Sequence, residues 1–225
     1  MEPAVTGDAA DDATKTADVD ADADTEDFDD DEDLLLSYLA QCPITDATAA
    51  TLAAAAQIDL TKVDEADRAL VGLGFLKDGI EVDGAWYRLP EGHLVYGDYT
   101  VAVPFAYSYG LGGELNPEDY WGTLPGWSSA EEEPDQFRSL IEDAVQAFTR
   151  ALGAPPERDG RTRQPFANRI AAWRVGGNVL IVSEGKEPYS YWQDDQALVI
   201  ITAAPGDPGD PLPEDVNDME RLRNY

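Results

Sequence analysis

Apolar positions between residues 137 and 152 follow the 3.6-residue period of an amphipathic helix. The positions are Phe137, Leu140, Ile141, Ala144, Val145, Phe148 and Leu152. Pro134 suits the first turn of such a helix, and Gly153 with the two prolines that follow it ends the helix. The pattern predicts one long helix over residues 131–153, with its apolar face packed against a sheet.

Two other regions alternate with period two, which is typical of strands. The first, residues 79–103, contains the runs Ile80–Val82, Ala85–Leu89, His93–Tyr96 and Tyr99–Val103, separated by turn residues. The second, residues 168–203, contains Arg169–Val175, Asn178–Ser183 and Gln196–Ala203. The last two of these runs are apolar without a break at their centres, as expected of central strands. We therefore predict two antiparallel meanders.

The remaining segments carry weaker signals. Residues 34–78 predict a small helical head of three short helices, at 34–39, from Thr45 or Asp46 to Gln57, and over Val63–Leu73. Residues 104–130 predict a long loop rich in aromatic side chains, and residues 205–225 a C-terminal tail with a short helix. The predicted fold class is α+β, an antiparallel sheet of two meanders with the long helix packed on it, within a domain over residues 34–204.

The N-terminal segment is strongly acidic. The chain has a net charge of −31, and its first 33 residues contain fifteen acidic residues and one lysine. A segment with low hydrophobicity and charge of one sign cannot bury enough apolar surface to offset the entropy lost on ordering. Residues 1–33 are therefore predicted to be a disordered acidic tail.

The acidity also limits the function classes. Binding to nucleic acid through phosphates, or to an anionic membrane surface, requires clustered Lys and Arg, so neither partner is expected. A basic protein is the favoured partner, although acidity that serves only solubility explains the same composition. With one cysteine, no signal-peptide pattern and no long apolar run, the chain is expected in the cytoplasm.

Residues for catalysis or metal binding are scarce. The chain has one histidine, His93, and one cysteine, Cys42, which excludes the usual zinc and haem ligand sets. His93 falls in a predicted turn and is expected to be solvated, whereas Cys42 is expected to be a small buried residue. The glycines at 110–113 lack the Lys-Ser/Thr of a phosphate-binding loop. We therefore predict no catalytic residue, no cofactor and no metal.

Aromatic residues beside acids are typical of protein-binding surfaces. Two segments have this composition, and their candidate partner-binding residues are Tyr107, Tyr109, Trp121, Trp127, Tyr189, Tyr191, Trp192, Asp194 and Asp195. The alternative is that these aromatic side chains cover an edge of the sheet. A cluster of arginines, Arg158, Arg161 and Arg163, followed by Arg169 and Arg174, provides candidate contacts for an anion or for the acidic tail, or simply neutralises the domain's own acids.

One resemblance rests on the amphipathic helix ending in Leu152-Gly-Ala-Pro155, on Ala171-Ala-Trp173 before Gly176-Gly177, and on the apolar strand Val179–Val182. Residues 134–203 resemble a segment shared by small uncharacterised actinobacterial proteins, some of which look like immunity proteins of polymorphic toxin systems. The resemblance implies an acidic globular protein that masks the active surface of a toxin.

The charge and the resemblance favour the same function, a non-catalytic acidic binding protein of the immunity or inhibitor type with a basic protein partner. One alternative is a secretion-type chaperone or adaptor, which is expected to form a stable homodimer. A further alternative is a carboxylate-dependent hydrolase, because acidic pairs are abundant. The sequence leaves the oligomeric state open.

Overall fold

The computed structural model describes residues 37–77, 85–97, 100–110, 121–162, 167–186, 195–204 and 211–212, with the backbone alone at 85 and 186. These residues form nine strands: β1 Ser37–Gln41, β2 Ala85–Arg88, β3 Leu94–Tyr96, β4 Thr100–Gly110, β5 Ser128–Glu131, β6 Arg158–Arg161, β7 Arg169–Val175, β8 Asn178–Lys186 and β9 Asp195–Ala203. They also form three helices: α1 Asp46–Ala55, α2 Val63–Gly72 and α3 Gln136–Leu152. The α+β class is confirmed.

All nine strands belong to one antiparallel sheet, with the order β2-β3-β4-β9-β8-β7-β6 along its main path. Strand β4 is the point where the sheet branches. One edge of β4 pairs with β9, and the other edge pairs with β3 at Ala102 and with β1 from Ala106 to Gly110. Strand β5 pairs with the far side of β1. The pairing of β4 with β9 therefore joins the two predicted meanders into one continuous sheet.

The helices share one core with one face of this sheet. Leu52 of α1, Leu70 of α2 and Phe148 of α3 are buried in the same cluster as Val103 of β4 and Val199 of β9. Helix α3 contains all the apolar positions of the predicted period, and Gly153 caps its C-terminus in a left-handed conformation. The long helix and its position against the sheet are confirmed, although it begins at Gln136, not at residue 131.

The opposite face of the sheet is also apolar over β7, β8 and β9. Ile170, Val179, Ile181 and Ile200 form a second buried cluster there, which Leu212 joins. Because neighbouring residues of a strand point to opposite faces, strands buried on both sides have continuous apolar runs. The prediction of central strands at β8 and β9 is confirmed.

Three assignments made from the sequence are wrong. The segment predicted as a first short helix is strand β1 over its described residues, because it pairs with β4 on one side and β5 on the other. The loop predicted for 104–130 is strand up to Gly110 and again from Ser128. The segment between the long helix and the second meander, where no strand is predicted, contains strand β6 with Arg158 and Arg161.

A β-bulge in β4 positions the aromatic residues that follow it. The pairing of β4 with β9 shifts register between Pro104 and Ala106, which leaves Phe105 as an additional residue. Before the shift, Val101 and Val103 lie in the core shared with the helices, whereas after it Tyr107 lies in a separate cluster. The bulge therefore places Tyr107, and Tyr109 two residues later, on the face opposite the helices.

Parts of the predictions lie outside the described residues. These are the acidic tail 1–33, the first predicted strand Ile80–Val82, and the short helix in 205–225, apart from Pro211 and Leu212. None of the three described helices combines the length and the apolar composition needed to cross a bilayer.

Candidate partner-binding surface

Three aromatic rings stack on one another on the sheet face opposite the helices. The ring centroid of Trp121 lies 4.8 Å from that of Tyr107 and 4.6 Å from that of Trp127. The Tyr107 and Trp127 centroids are 5.9 Å apart, and each pair of ring planes is within 30° of parallel. Offset stacking of this kind adds about 1 kcal/mol per pair to the burial of the rings. The segment 121–127 is thereby attached to β4.

The rings differ in exposure. Tyr107 and Trp127 are buried, with 7% and 6% of their surfaces exposed, whereas Trp121 is half-buried. The Tyr107 hydroxyl accepts a hydrogen bond from Gln196 Nε2 at 2.9 Å, and Trp127 Nε1 donates to the carbonyl oxygen of Gly92 at 3.3 Å. Tyr107 and Trp127 are therefore a fixed base, and Trp121 is the member of the stack that reaches solvent.

A second aromatic pair continues this face toward β1. Tyr38 stacks on Tyr109 with a centroid distance of 6.3 Å, and both are half-buried. The Tyr109 hydroxyl is hydrogen-bonded to Ser129 Oγ at 3.0 Å. In the strand register Tyr38 lies opposite Tyr109 on one side and opposite Glu131 on the other. Directly paired residues of antiparallel strands point to the same face, so the carboxylate of Glu131 lies at the edge of the aromatic pair.

We call Tyr38, Tyr109, Trp121 and Glu131 the aromatic surface. Tyr109 and Trp121 are among the residues predicted from the sequence, whereas Tyr38 is not, because residues 34–39 predict a helix. The missed signal is a short period of two, because Ala40 and Cys42 lie in the cluster with Tyr107 and Trp127, and Tyr38 precedes Ala40 by two residues.

The structure separates one predicted residue from this surface. Asp195 begins β9 opposite Ser108 and Lys186. Ala197, two residues later on the same face of β9, lies in the core shared with the helices. Asp195 therefore projects from the face opposite Tyr107 and Tyr109. The other predicted members of that segment, Tyr189, Tyr191, Trp192 and Asp194, lie outside the described residues.

The arginine cluster is largely engaged within the domain. The guanidinium group of Arg169 donates from Nε and Nη2 to Glu142, at 2.7 and 3.2 Å, and pairs with Asp159 at 2.5 Å. The Arg169 side chain is 13% exposed. The hydrogen bonds from Arg169 hold the pKa of the Glu142 carboxyl below its usual value, and those bonds raise the pKa of Arg169 in turn.

Two neighbouring arginines, Arg174 and Arg161, also have partners within the domain. Arg174 Nε lies 3.5 Å from the carboxylate of Glu157, and Arg161 donates to the carbonyl oxygen of Ala167 at 2.9 Å. Arg158 is half-buried, and Arg163 lies outside the described residues. For Arg169 and Arg174, the structure favours the interpretation that they neutralise the domain's own acids.

A polar cleft of about 180 Å³ lies beside the ion pair of Arg169 and Glu142. Its lining residues are Glu132, Asp135, Phe137, Arg138, Ile141, Glu142, Arg161, Arg169 and Glu184. Glu132 accepts a hydrogen bond from Ser108 Oγ at 2.5 Å, and Glu184 accepts one from the backbone N–H of Arg169 at 3.0 Å. The cleft therefore combines four carboxylates with three guanidinium groups.

His93 is buried, which corrects the expectation of a solvated turn residue. Its side chain is 0% exposed, faces the backbone of Cys42 and Pro43, and has no well-formed hydrogen bond to any described residue. Burial holds the pKa of the imidazole below its usual value, although the backbone groups of Cys42 and Pro43 and the charge of Glu91 oppose the shift.

Cys42 lies next to the same turn. It is buried as expected, and its thiol donates a long hydrogen bond of 3.7 Å to the carbonyl oxygen of Glu91. Burial and the nearby Glu91 raise the pKa of the thiol to about 12, so it is unreactive at neutral pH. Among the described residues, no group of three or more His, Cys, Asp or Glu side chains could hold a metal ion.

The chain matches no known protein in three kinds of comparison. No protein-family model matches the chain, and no match is found to a curated protein or to a solved structure.

Proposed function

We propose that this chain is a non-catalytic acidic binding protein of the immunity or inhibitor type, which masks a basic partner protein in the cytoplasm. The observation that carries the proposal is the aromatic surface. Tyr38, Tyr109 and Trp121 are partly open to solvent over a rigid base, with the carboxylate of Glu131 at their edge. Fixed aromatic side chains beside charged groups are the composition of binding hot spots.

The distribution of charge supports the same proposal. The described residues contain sixteen acidic and eleven basic side chains, against a net charge of −31 for the whole chain. At least six of the described basic side chains are ion-paired within the chain, namely Lys62, Lys77, Arg138, Arg150, Arg169 and Arg174. A basic partner would therefore meet an excess of negative charge, which speeds association at low salt.

The proposal is tested by affinity capture from an extract of the cells that produce the protein, at low and at high salt. We expect one basic protein to be captured in stoichiometric amount at low salt, and to be captured less at high salt, because salt screens the attraction. Recovery of the bait alone at both salt concentrations would contradict the proposal.

The segment 188–195 is a second proposed contact, supported by its aromatic and acidic composition. Asp195, the described residue of this segment, pairs with Ser108 of β4 and with Lys186 of β8 at one end of the sheet. Replacing Trp192 and Asp194 with alanine is expected to weaken capture of the partner. Unchanged capture would remove this segment from the proposal and leave the aromatic surface in place.

A carboxylate-dependent hydrolase is the second candidate, and the acid-lined cleft is the observation that favours it. Glu132 and Glu184 line the cleft beside Glu142, which its arginine partner keeps ionised. A general acid must instead be protonated at the working pH. The candidate predicts turnover of a chromogenic glycoside or ester that is lost in Glu132→Gln or Glu184→Gln, and the absence of any turnover by the wild-type protein would remove it.

A further inference from the structure

The aromatic surface offers a ligand two kinds of chemical group, aromatic rings and one carboxylate. Tyr38 and Tyr109 present two rings inclined at 29° to each other, and Glu131 is the direct strand partner of Tyr38. Trp121 is the partly exposed member of the stack formed with Tyr107 and Trp127. A ligand group that suits this surface must be able to lie flat on an aromatic ring and also to bond a carboxylate.

From this arrangement we infer that the aromatic surface recognises arginine side chains of the basic partner in preference to lysine. The inference rests on the proposed function and specifies its partner. A guanidinium group is planar and weakly hydrated, stacks on aromatic faces and donates hydrogen bonds in a fork that matches a carboxylate. An ammonium group carries the same charge but is compact and strongly hydrated, so it gains less from an exposed ring.

The base of the surface and one of its rings, Tyr109, are held in place before any partner binds. The Tyr107 hydroxyl accepts from Gln196, Trp127 donates to Gly92, and the Tyr109 hydroxyl is hydrogen-bonded to Ser129. Side chains held in this way lose little conformational entropy on binding. The net charge of the chain attracts any cation, whereas the aromatic surface can distinguish a guanidinium group from an ammonium group of equal charge.

The test compares two synthetic peptides of equal length and charge, one alternating Gly and Arg and the other alternating Gly and Lys. Binding of each peptide to the full chain is measured by calorimetry at fixed ionic strength. The wild-type protein is expected to bind the arginine peptide about two- to fivefold more tightly than the lysine peptide, a difference no larger than one exposed cation–π contact. The preference is expected to fall to about one in Tyr38→Leu and to persist in Tyr38→Phe, which keeps the ring.

The matched control is Trp86→Leu, which removes an aromatic side chain that is 48% exposed elsewhere on the chain. It is expected to leave the arginine preference unchanged, and circular dichroism melts establish that each variant is folded. Equal affinity for the two peptides, or a preference that survives in folded Tyr38→Leu and Trp121→Leu, would overturn the inference while the proposed function stands. Failure of both peptides to bind the wild-type protein would overturn the inference and the electrostatic basis of the proposed function together.

Discussion

The indole N–H of Trp127 donates a hydrogen bond to the carbonyl oxygen of Gly92 at 3.3 Å, and this bond connects the aromatic stack to the turn between β2 and β3. Both groups are buried, so neither can exchange its partner for bulk water. The turn that precedes β3 is thereby part of the base of the aromatic surface.

Replacing Trp127 with phenylalanine tests this connection. The change keeps an aromatic ring in the stack but leaves the Gly92 carbonyl without its donor. An unsatisfied buried polar group and a smaller ring together lower the free energy of unfolding by about 2 to 4 kcal/mol. Denaturant unfolding measures the loss, and Trp86→Phe at an exposed position is the control. Equal stability of the two variants would show that the bond contributes nothing.

Gly92 and Gly126 allow two backbone segments to approach closely. A Cβ atom at Gly92 would lie 1.7 Å from the carbonyl oxygen of Pro125, and the φ angle of Gly92 is +108°. Gly92→Ala is therefore expected to lower the free energy of unfolding by about 3 kcal/mol or more. Gly177→Ala is the control, because nothing lies within 4 Å of its added Cβ and its φ is not left-handed. Thermal melts that place both variants at the same temperature would contradict the close packing.

The burial of His93 predicts a pH dependence of stability. The pKa of the imidazole is lowered in the folded chain from its usual 6.5, so the unfolded chain binds the proton more readily. The contribution of His93 to the free energy of unfolding is therefore undiminished above pH 6.5 and falls as the pH drops below that value.

The measurement is denaturant unfolding of wild-type protein and of His93→Gln at several pH values between about 7 and 5, the range in which an ordinary histidine titrates. Carboxylates change the stability of both proteins alike, so the difference between the two isolates His93. We expect the wild type to lose stability relative to the variant on acidification. Parallel curves would mean that the imidazole is not held neutral by burial.

The ion pairs of Arg169 and Arg150 differ in burial, so they are expected to differ in their contribution to the free energy of unfolding. Arg169 bonds both oxygens of Glu142 and is 13% exposed, whereas Arg150 pairs with Asp46 and is 58% exposed. Arg169→Ala is expected to lower the free energy of unfolding by about 2 kcal/mol, since it removes a largely buried side chain and its hydrogen bonds to Glu142 and to the carbonyl oxygen of Ile170. Arg150→Ala is expected to cost less than about 1 kcal/mol. Unfolding curves that show the same cost for both would contradict the structural role of Arg169.

The elements with long regular patterns could be predicted from the sequence. The period of α3 and the continuous apolar runs of β8 and β9 were sufficient, because in these elements local pattern and tertiary burial agree. Strand β1 could not be predicted in the same way. Its five residues are too few for their period of two to predict a strand, and their conformation is decided by pairing with β4 and β5, which are distant in sequence.

The aromatic surface was only half predictable for a related reason. Tyr109 and Trp121 stand out by residue type, but the face of the sheet that Tyr107 and Tyr109 occupy depends on the bulge at Phe105. A single additional residue reverses the direction of every later side chain in a strand, and the irregular pattern after Val103 predicts a loop and not a bulged strand. The burial of His93 was likewise missed, because it arises from the contact of its turn with Cys42 and Trp127.

The most direct test of the proposed function is partner capture with two double variants compared with the wild type. Tyr38→Leu with Glu131→Gln removes one ring and the carboxylate of the aromatic surface, whereas Trp86→Leu with Glu65→Gln removes an aromatic ring and a carboxylate at exposed positions elsewhere. We predict that one basic protein is captured by the wild type and by the second variant, and is lost or strongly reduced with the first. Capture that is the same for all three proteins would contradict the proposal that the aromatic surface binds the partner.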